Sequence, residues 1–246
     1  MSKRDPTEAR RLDPILCLVV DRGAVRGDLT SCIAAAVGAG VDWVQIRERN
    51  LEGAALLAHA EEIDRAAREA AERRGGRVEI FVNRRIDIAL AIGADGVQLG
   101  FDAVDPQTAR RLLETDGRSG TDAGTGGPNL KIGISAHRPD EIRAAPPEVD
   151  CAQLAPIFQP LSKPHAGPCL GLRAVEEAAS CDIPVIAQGG ITPANATAIA
   201  AAGAAGIAVT GAILSAPDPA AATRALRAAL AAAPQDQPDA SPTAPL

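Results

Sequence analysis

Short apolar runs of four to six residues alternate along this chain with longer stretches whose apolar residues recur at helical spacing. The short runs predict strands at Ile15–Val20, Trp43–Arg47, Val78–Val82, Gly96–Leu99, Lys131–Ser135, Cys151–Leu154, Pro184–Ala187 and Gly206–Val209. The longer stretches predict helices at Asp28–Ala39, Glu52–Arg74, Ile86–Ile92, Pro106–Glu114, Pro139–Ala144, Leu172–Ser180, Pro193–Ala202 and Pro219–Ala232. Thr192 followed by Pro193 is a good cap and first-turn pair for one of them. Eight strands, each followed by a helix, describe an α/β chain folded as a single (β/α)8 TIM barrel. A doubly wound open sheet is the main competitor. It would need a glycine-rich turn after the first strand, and DRGAVRGD lacks the GxGxxG spacing.

Length and composition refine this picture. At 246 residues the chain is typical of one barrel, expected over 14–233. The polar residues 1–13, the Gly/Thr/Asp-rich 116–129 and the Pro/Asp/Ala-rich 234–246 are expected to be disordered, having too little apolar content to offset ordering entropy. The apolar fraction of 46% supports a large core of Ala, Val, Leu and Ile. With no Tyr, one Trp and three Phe, platforms for stacking nucleic-acid bases are nearly absent, and a net charge of −6 argues further against a nucleic-acid partner. Five cysteines without CxxC spacing fit a reducing compartment, and Cys17 and Cys151 read as small core residues. The charged beginning lacks a signal-peptide core, and outside the alanine-rich helices no apolar stretch is long enough to span a membrane. A soluble, cytoplasmic protein is expected.

The candidate chemistry gathers where a barrel places it, at the carboxyl ends of the strands. Gly189-Gly190 and Thr210-Gly211 follow the seventh and eighth strands, where backbone N–H groups approach an anion without an intervening Cβ. The second strand ends VDWVQIRERN, and alternation puts Gln45, Arg47 and Arg49 on one side as a clamp for phosphate or pyrophosphate. The alternative reading of RER is a solvated charge cluster. Asn83 ends the third strand on the same rim, and Arg84 and Arg85 follow, with Asp87 a structural partner for Arg84. In the long loop PIFQPLSKPHAGPCLGL, Ser162 and Lys163 are placed to reach across the mouth as a lid. His137, just after the fifth strand, is the best-placed histidine for proton transfer.

The motifs LVVDRG, VDWVQIRER, FVNRRIDIALAIGADGVQLG, IGISAHRPDEI, LAPIFQPLSKPHAGPCLGL and IPVIAQGGITPANATAIAAAGAAGIAVTGAI run in order from Ile15 to Leu214. Together they resemble the thiamine phosphate synthase/TenI family of barrels. In that family the synthase joins a hydroxymethylpyrimidine pyrophosphate to a thiazole phosphate and releases pyrophosphate, whereas TenI proteins include a metal-free thiazole tautomerase. The resemblance implies small phosphorylated pyrimidine and thiazole partners, and barrels of this kind often form homodimers. It carries Gln45, Arg47, Arg49, Asn83 and Lys163 onto the positions that hold the pyrimidine pyrophosphate, with Arg49 where lysine is usual. It carries Gly189, Gly190, Thr210 and Gly211 onto the thiazole phosphate site.

The family's magnesium ligands do not carry over. The usual Asn-Asp pair is Asn83-Arg84 here, and the second acidic ligand aligns with Ala103, with Asp102 one position early and Asp105 two late. Pro160 replaces the first threonine of the TxTK loop. VQL, where synthases usually read VHLG or HVGQ, points to the TenI side, yet the histidine that TenI tautomerases use aligns with Pro156. The leading expectation is a metal-independent TenI-like enzyme acting on thiazole phosphate or thiamine phosphate. It needs no cofactor, Arg84 supplies charge in place of magnesium, and His137 and Lys163 are the candidate catalytic groups. One alternative is a divergent synthase in which Asp102 or Asp105 helps bind Mg2+. Another is a noncatalytic phosphate-binding or regulatory homologue.

Overall fold

A computed structural model of the chain describes residues 14–115, 130–159 and 168–233. The three segments expected to be disordered lie outside the described residues. Eight parallel strands close into a barrel in chain order. They are β1 (Ile15–Val20), β2 (Trp43–Ile46), β3 (Glu79–Asn83), β4 (Gly96–Leu99), β5 (Lys131–Ala136), β6 (Cys151–Leu154), β7 (Val185–Gln188) and β8 (Gly206–Val209). The helices are α1 (Leu29–Gly38), α2 (Gly53–Arg73), α3 (Ile86–Ala91), α4 (Pro106–Thr115), α5 (Pro139–Arg143), α6 (Gly171–Ala179), α7 (Pro193–Ala201), α8 (Gly211–Leu214) and α9 (Pro219–Ala231).

The predicted (β/α)8 architecture is therefore present, with element ends displaced by a residue. Two short elements were not predicted: a 3-10 turn at Arg22–Ala24 and α8, which begins inside what reads as a glycine turn. The second strand stops at Ile46, one residue before its predicted end. Arg47 N still donates to Val20 O at 3.1 Å, but Glu48 turns aside to accept from Arg22 N at 2.9 Å.

Strand alternation sorts the core into two compartments. Leu16, Leu18 and Val20 of β1 join the large apolar shell between sheet and helices, whereas Cys17 and Val19 point inside the barrel with Trp43, Phe81, Cys151 and Ile186. Both sets are buried, which is why the strands read as unbroken apolar runs. Burial of this kind contributes about 1.5–3 kcal/mol for each large aliphatic side chain. It also pushes the Cys17 thiol well up and that of Cys151 to about 12, so both stay protonated and behave as small core residues. Space inside is rationed by size. A Cβ on Gly133 would sit 2.3 Å from Gln98 Oε1, so a bulky residue on one strand requires glycine on the next. The lower end is closed by Trp43 stacked on Phe81 at 4.7 Å, with Lys131 over the Trp43 ring and paired to Glu79 at 2.7 Å.

The barrel is fastened where its two ends meet. Beyond the β1–β8 ladder, Arg227 of α9 donates to Gly40 O at 2.6 Å and Pro14 O at 2.7 Å, and it pairs with Asp42. Asp42 in turn accepts from Leu16 N at 2.8 Å.

Candidate active site

A cavity of about 1160 Å³ opens at the carboxyl ends of the strands. At its base lies a layer of amides contributed by alternate strands, as barrel layers are, and two of them, Gln45 and Gln153, line the cavity. Gln45 of β2, Gln98 of β4 and Gln153 of β6 occupy the third position of three four-residue strands. They are three of the four buried polar residues among those described. Buried amides require partners, and these have them. Gln153 Nε2 donates to Gln45 Oε1 at 2.5 Å, and Gln98 Nε2 donates to Ser135 Oγ at 3.2 Å. With its oxygen occupied, Gln45 is left to donate through Nε2, and Asn83 Oδ1 lies 3.4 Å away. The relay leaves Asn83 with Nδ2, a donor suited to a phosphate oxygen. The sequence reading included Gln45 and Asn83 and missed Gln153. The available signal was a single glutamine recurring within otherwise apolar strands.

One wall of the cavity is cationic. Arg47, Arg49, Arg84 and Arg85 all line it, at the ends of β2 and β3. Arg47 is half-buried. Burial pushes its guanidinium below the ordinary value, neighbouring Arg49 adds to that fall and Asp21 opposes it. Crowded, partly desolvated guanidiniums are the arrangement that a bound anion relieves. The alternation expected after Ile46 does not hold strictly, because Glu48 also borders the cavity. Its carboxylate is occupied by Arg22 and lies 3.4 Å from His59 Nε2.

Arg84 is the only non-glycine residue with positive φ among those described, at 66°. For a side chain with a Cβ this backbone costs about 1–3 kcal/mol and persists where the surroundings enforce it. Here Arg84 N donates to Gln98 O and Arg85 N to Asn83 O, both at 2.8 Å, pinning the turn. The left-handed step swings Arg84 away from α3 and toward the β4 loop, where Nη1 meets Asp102 Oδ2 at 2.8 Å. The expected partner Asp87 is instead held by Arg85, through Nε at 2.8 Å and Nη2 at 2.6 Å.

The opposite wall is backbone. Gly189 and Gly190 after β7, and Thr210 and Gly211 after β8, line the same cavity. Gly189 (φ 101°) and Gly190 (φ 62°) both lie in the left-handed region. A Cβ on Gly190 would lie 2.6 Å from Gln159 O, and one on Gly189 would lie 2.9 Å from Pro156 Cα. These glycines therefore let the β6 loop pack against the β7 turn, whatever they bind. Gly189 O accepts from Phe158 N at 3.1 Å, and Gly190 O accepts from Asn195 Nδ2 at 3.0 Å.

Between the walls, His137 stacks on Phe101 with ring centroids 4.6 Å apart. Its Nδ1 is 2.6 Å from Ala155 O. A carbonyl only accepts, so Nδ1 carries a proton and donates, which in the neutral tautomer leaves the lone pair on Nε2. Ser162 and Lys163, expected on the loop after β6, lie outside the described residues.

The residues at the mouth do not fit a protein-held magnesium ion, which needs several hard oxygen donors. At the two ligand positions that the family resemblance implies, Arg84 brings a cation and Ala103 offers no side-chain oxygen. Asp102 is paired with Arg84, and Asp105 caps α4 by accepting from Thr108 N at 2.8 Å. Among the described residues no three His, Cys, Asp or Glu side chains form a metal-holding group. No described helix is long and apolar enough to cross a membrane.

Fold and mouth together define a parallel (β/α)8 barrel with an anion-suited cavity between a cationic and a glycine-rich wall. Residues 16–213 match the family model for thiamine monophosphate synthase, and the chain belongs to that family. It is 34% identical over 222 residues to a thiamine-phosphate synthase of Roseiflexus sp. (strain RS-1), covering 89% of this chain and 86% of that protein. It is 38% identical over 218 residues to one from Laribacter hongkongensis (strain HLHK9), covering 88% of this chain and 92% of that protein. Among solved structures, the thiamine phosphate pyrophosphorylase from Pyrococcus furiosus superposes with a TM-score of 0.72 at 27% identity, covering 90% of this chain and 97% of that one. These relatives are named for a transferase activity and support an enzyme of that class.

Proposed function

We propose that this chain joins hydroxymethylpyrimidine pyrophosphate to thiazole phosphate, forming thiamine phosphate and releasing pyrophosphate. One observation carries the reading: a single cavity of about 1160 Å³ has two separate anion-suited walls. They are separated by β1 on one side and by β4 to β6 on the other. Pockets for one small ligand commonly span about 300–1,000 Å³. Two walls and this volume suit two phosphorylated substrates held face to face. A tautomerase acting on thiazole phosphate alone would use only one wall.

The chemistry asks little of the protein beyond this. The thiazole nitrogen uses its lone pair to form a bond to the pyrimidine methylene carbon. The bond from that carbon to the pyrophosphate oxygen breaks, and pyrophosphate leaves with the electron pair. That step removes no proton, so it needs cations at the leaving group more than a base. In this reading Arg47, Arg49 and Arg84 meet the pyrophosphate. Gln45 and Asn83 orient the pyrimidine end, and the turns at Gly189-Gly190 and Thr210-Gly211 hold the thiazole phosphate.

A second reading rests on His137, whose Nε2 lone pair makes a metal-independent, TenI-like proton transfer on thiazole phosphate chemically feasible. The two separate. Purified protein given both substrates should form thiamine phosphate and one equivalent of pyrophosphate. Isomerisation of thiazole phosphate with no joined product would replace the first reading with the second. Tight binding of both substrates with neither product would mark a noncatalytic homologue.

A further inference from the structure

The cationic wall differs from the family pattern in one coherent way, at the point where that pattern calls for a divalent cation. Arg84 stands at one acidic position, Ala103 at the other, and Asp102 is already paired with Arg84 at 2.8 Å. A metal ion brought here would meet a guanidinium, beside a carboxylate that the guanidinium already engages. The arrangement is also fixed by the backbone. The left-handed turn at Arg84, pinned by the bond from its N–H to Gln98 O, presents the side chain to the cavity and to the β4 loop.

We infer that the mouth takes pyrophosphate as an anion free of divalent metal, with the Arg84 guanidinium standing where the ion would be. This rests on reading the cationic wall as the pyrophosphate site. The Arg84–Asp102 pair is open to solvent, with side chains 48% and 69% exposed, so it is loosely held. Asp102 engages Nη1 and serves as a positioning residue for the planar fork. The other N–H donors of the fork remain for a phosphate oxygen. Arg47 and Arg49 supply the further charge that a pyrophosphate anion needs. A guanidinium is always protonated and forms paired hydrogen bonds, so it neutralises the anion at fixed geometry without recruiting an ion from solution.

The test is calorimetric titration of inorganic pyrophosphate into the full chain, once in excess EDTA and once in millimolar magnesium. The expected result is that Kd changes less than about threefold between the two conditions, while Arg84→Gly weakens binding in EDTA by about tenfold or more. Arg84→Gly also relieves the left-handed backbone, so the variant should keep its fold, checked by its urea midpoint. Binding that tightens tenfold or more with magnesium, or that ignores Arg84→Gly, overturns the inference. The joining assay run in parallel separates the two proposals. Thiamine phosphate formed only with magnesium leaves the transferase reading standing and removes this one. Metal-free, Arg84-dependent pyrophosphate binding with no joined product does the reverse.

Discussion

Under the proposed function, the two walls of the cavity prepare for negative charge by opposite means. On the β2–β3 side the work falls to long side chains whose charges crowd one another. On the β7–β8 side it falls to the main chain, shaped by glycines that the β6 loop also requires. A side-chain wall is open to substitution: the Arg84 side chain pairs with Asp102 on the exposed β4 loop and takes no part in the strand ladder. A main-chain wall has no such freedom, because the residues whose N–H groups would face the ligand, Gly189 and Gly190, are also those whose lack of a Cβ lets the β6 loop pack on the β7 turn. Binding and stability are separable on the first wall and joined on the second.

The largest expected effect breaks the cationic wall alone. Arg47→Ala should lower the joining rate by about 10²–10³, as loss of a charge-stabilising donor does, with stability within about 0.5 kcal/mol of the parent. Steady-state kinetics beside urea denaturation reads both quantities. A parallel loss of stability would show that Arg47 serves the fold and would remove the contrast. Next, Gly190→Ala combines a left-handed backbone with a Cβ 2.6 Å from Gln159 O. It should cost about 2–4 kcal/mol of unfolding free energy and reduce activity with it. An alanine variant as stable as the parent would mean that the β6 loop yields freely.

Between the walls, Gln153→Leu removes the donor to Gln45 Oε1 and leaves that buried oxygen unpaired. About 1–3 kcal/mol of stability should be lost, and with Gln45 free to turn over, KM for the pyrimidine substrate should rise by about tenfold. Gln153→Glu, which cannot donate when ionised, should share the KM defect. Normal KM in both variants would deny the relay. The smallest effect concerns Asp87, whose hydrogen bonds from Arg85 hold its carboxyl below the usual carboxylate range. The native pKa lies below the unfolded one, so this stabilisation is present above the unfolded pKa and is lost as pH falls through the native one. The pair is largely exposed, so Asp87→Asn should cost only a few tenths of a kcal/mol at neutral pH. That difference should fade in acid, as thermal unfolding across pH would record.

Much of the barrel was legible because its strands are short, apolar and bounded by polar or glycine residues, a pattern with few competing explanations. α8 was not, since four residues starting at a glycine carry no helical period. Within the site, Arg47 and Arg49 could be read from their place after an apolar strand, whereas the partner of Arg84 could not. Counting along α3 assumes a right-handed path, and nothing in the identity of an arginine announces φ of 66°. The amide layer was hidden for a different reason. Gln45, Gln98 and Gln153 are 53 and 55 residues apart along the chain, and only the tilt and closure of the barrel bring them to one level.

The ties from Arg227 to Pro14, Gly40 and Asp42 bear on how the protein is made. During synthesis β1 waits with one edge unpaired until β8 has left the ribosome, and the fastening by α9 comes later still. A nascent chain halted after α3 already carries every arginine of the cationic wall, yet it has no cavity to put them in. Under the proposed function, anion capture is thus a property the chain gains only once β8 has closed the barrel, and a copy halted before that should not withdraw pyrophosphate esters from the cell.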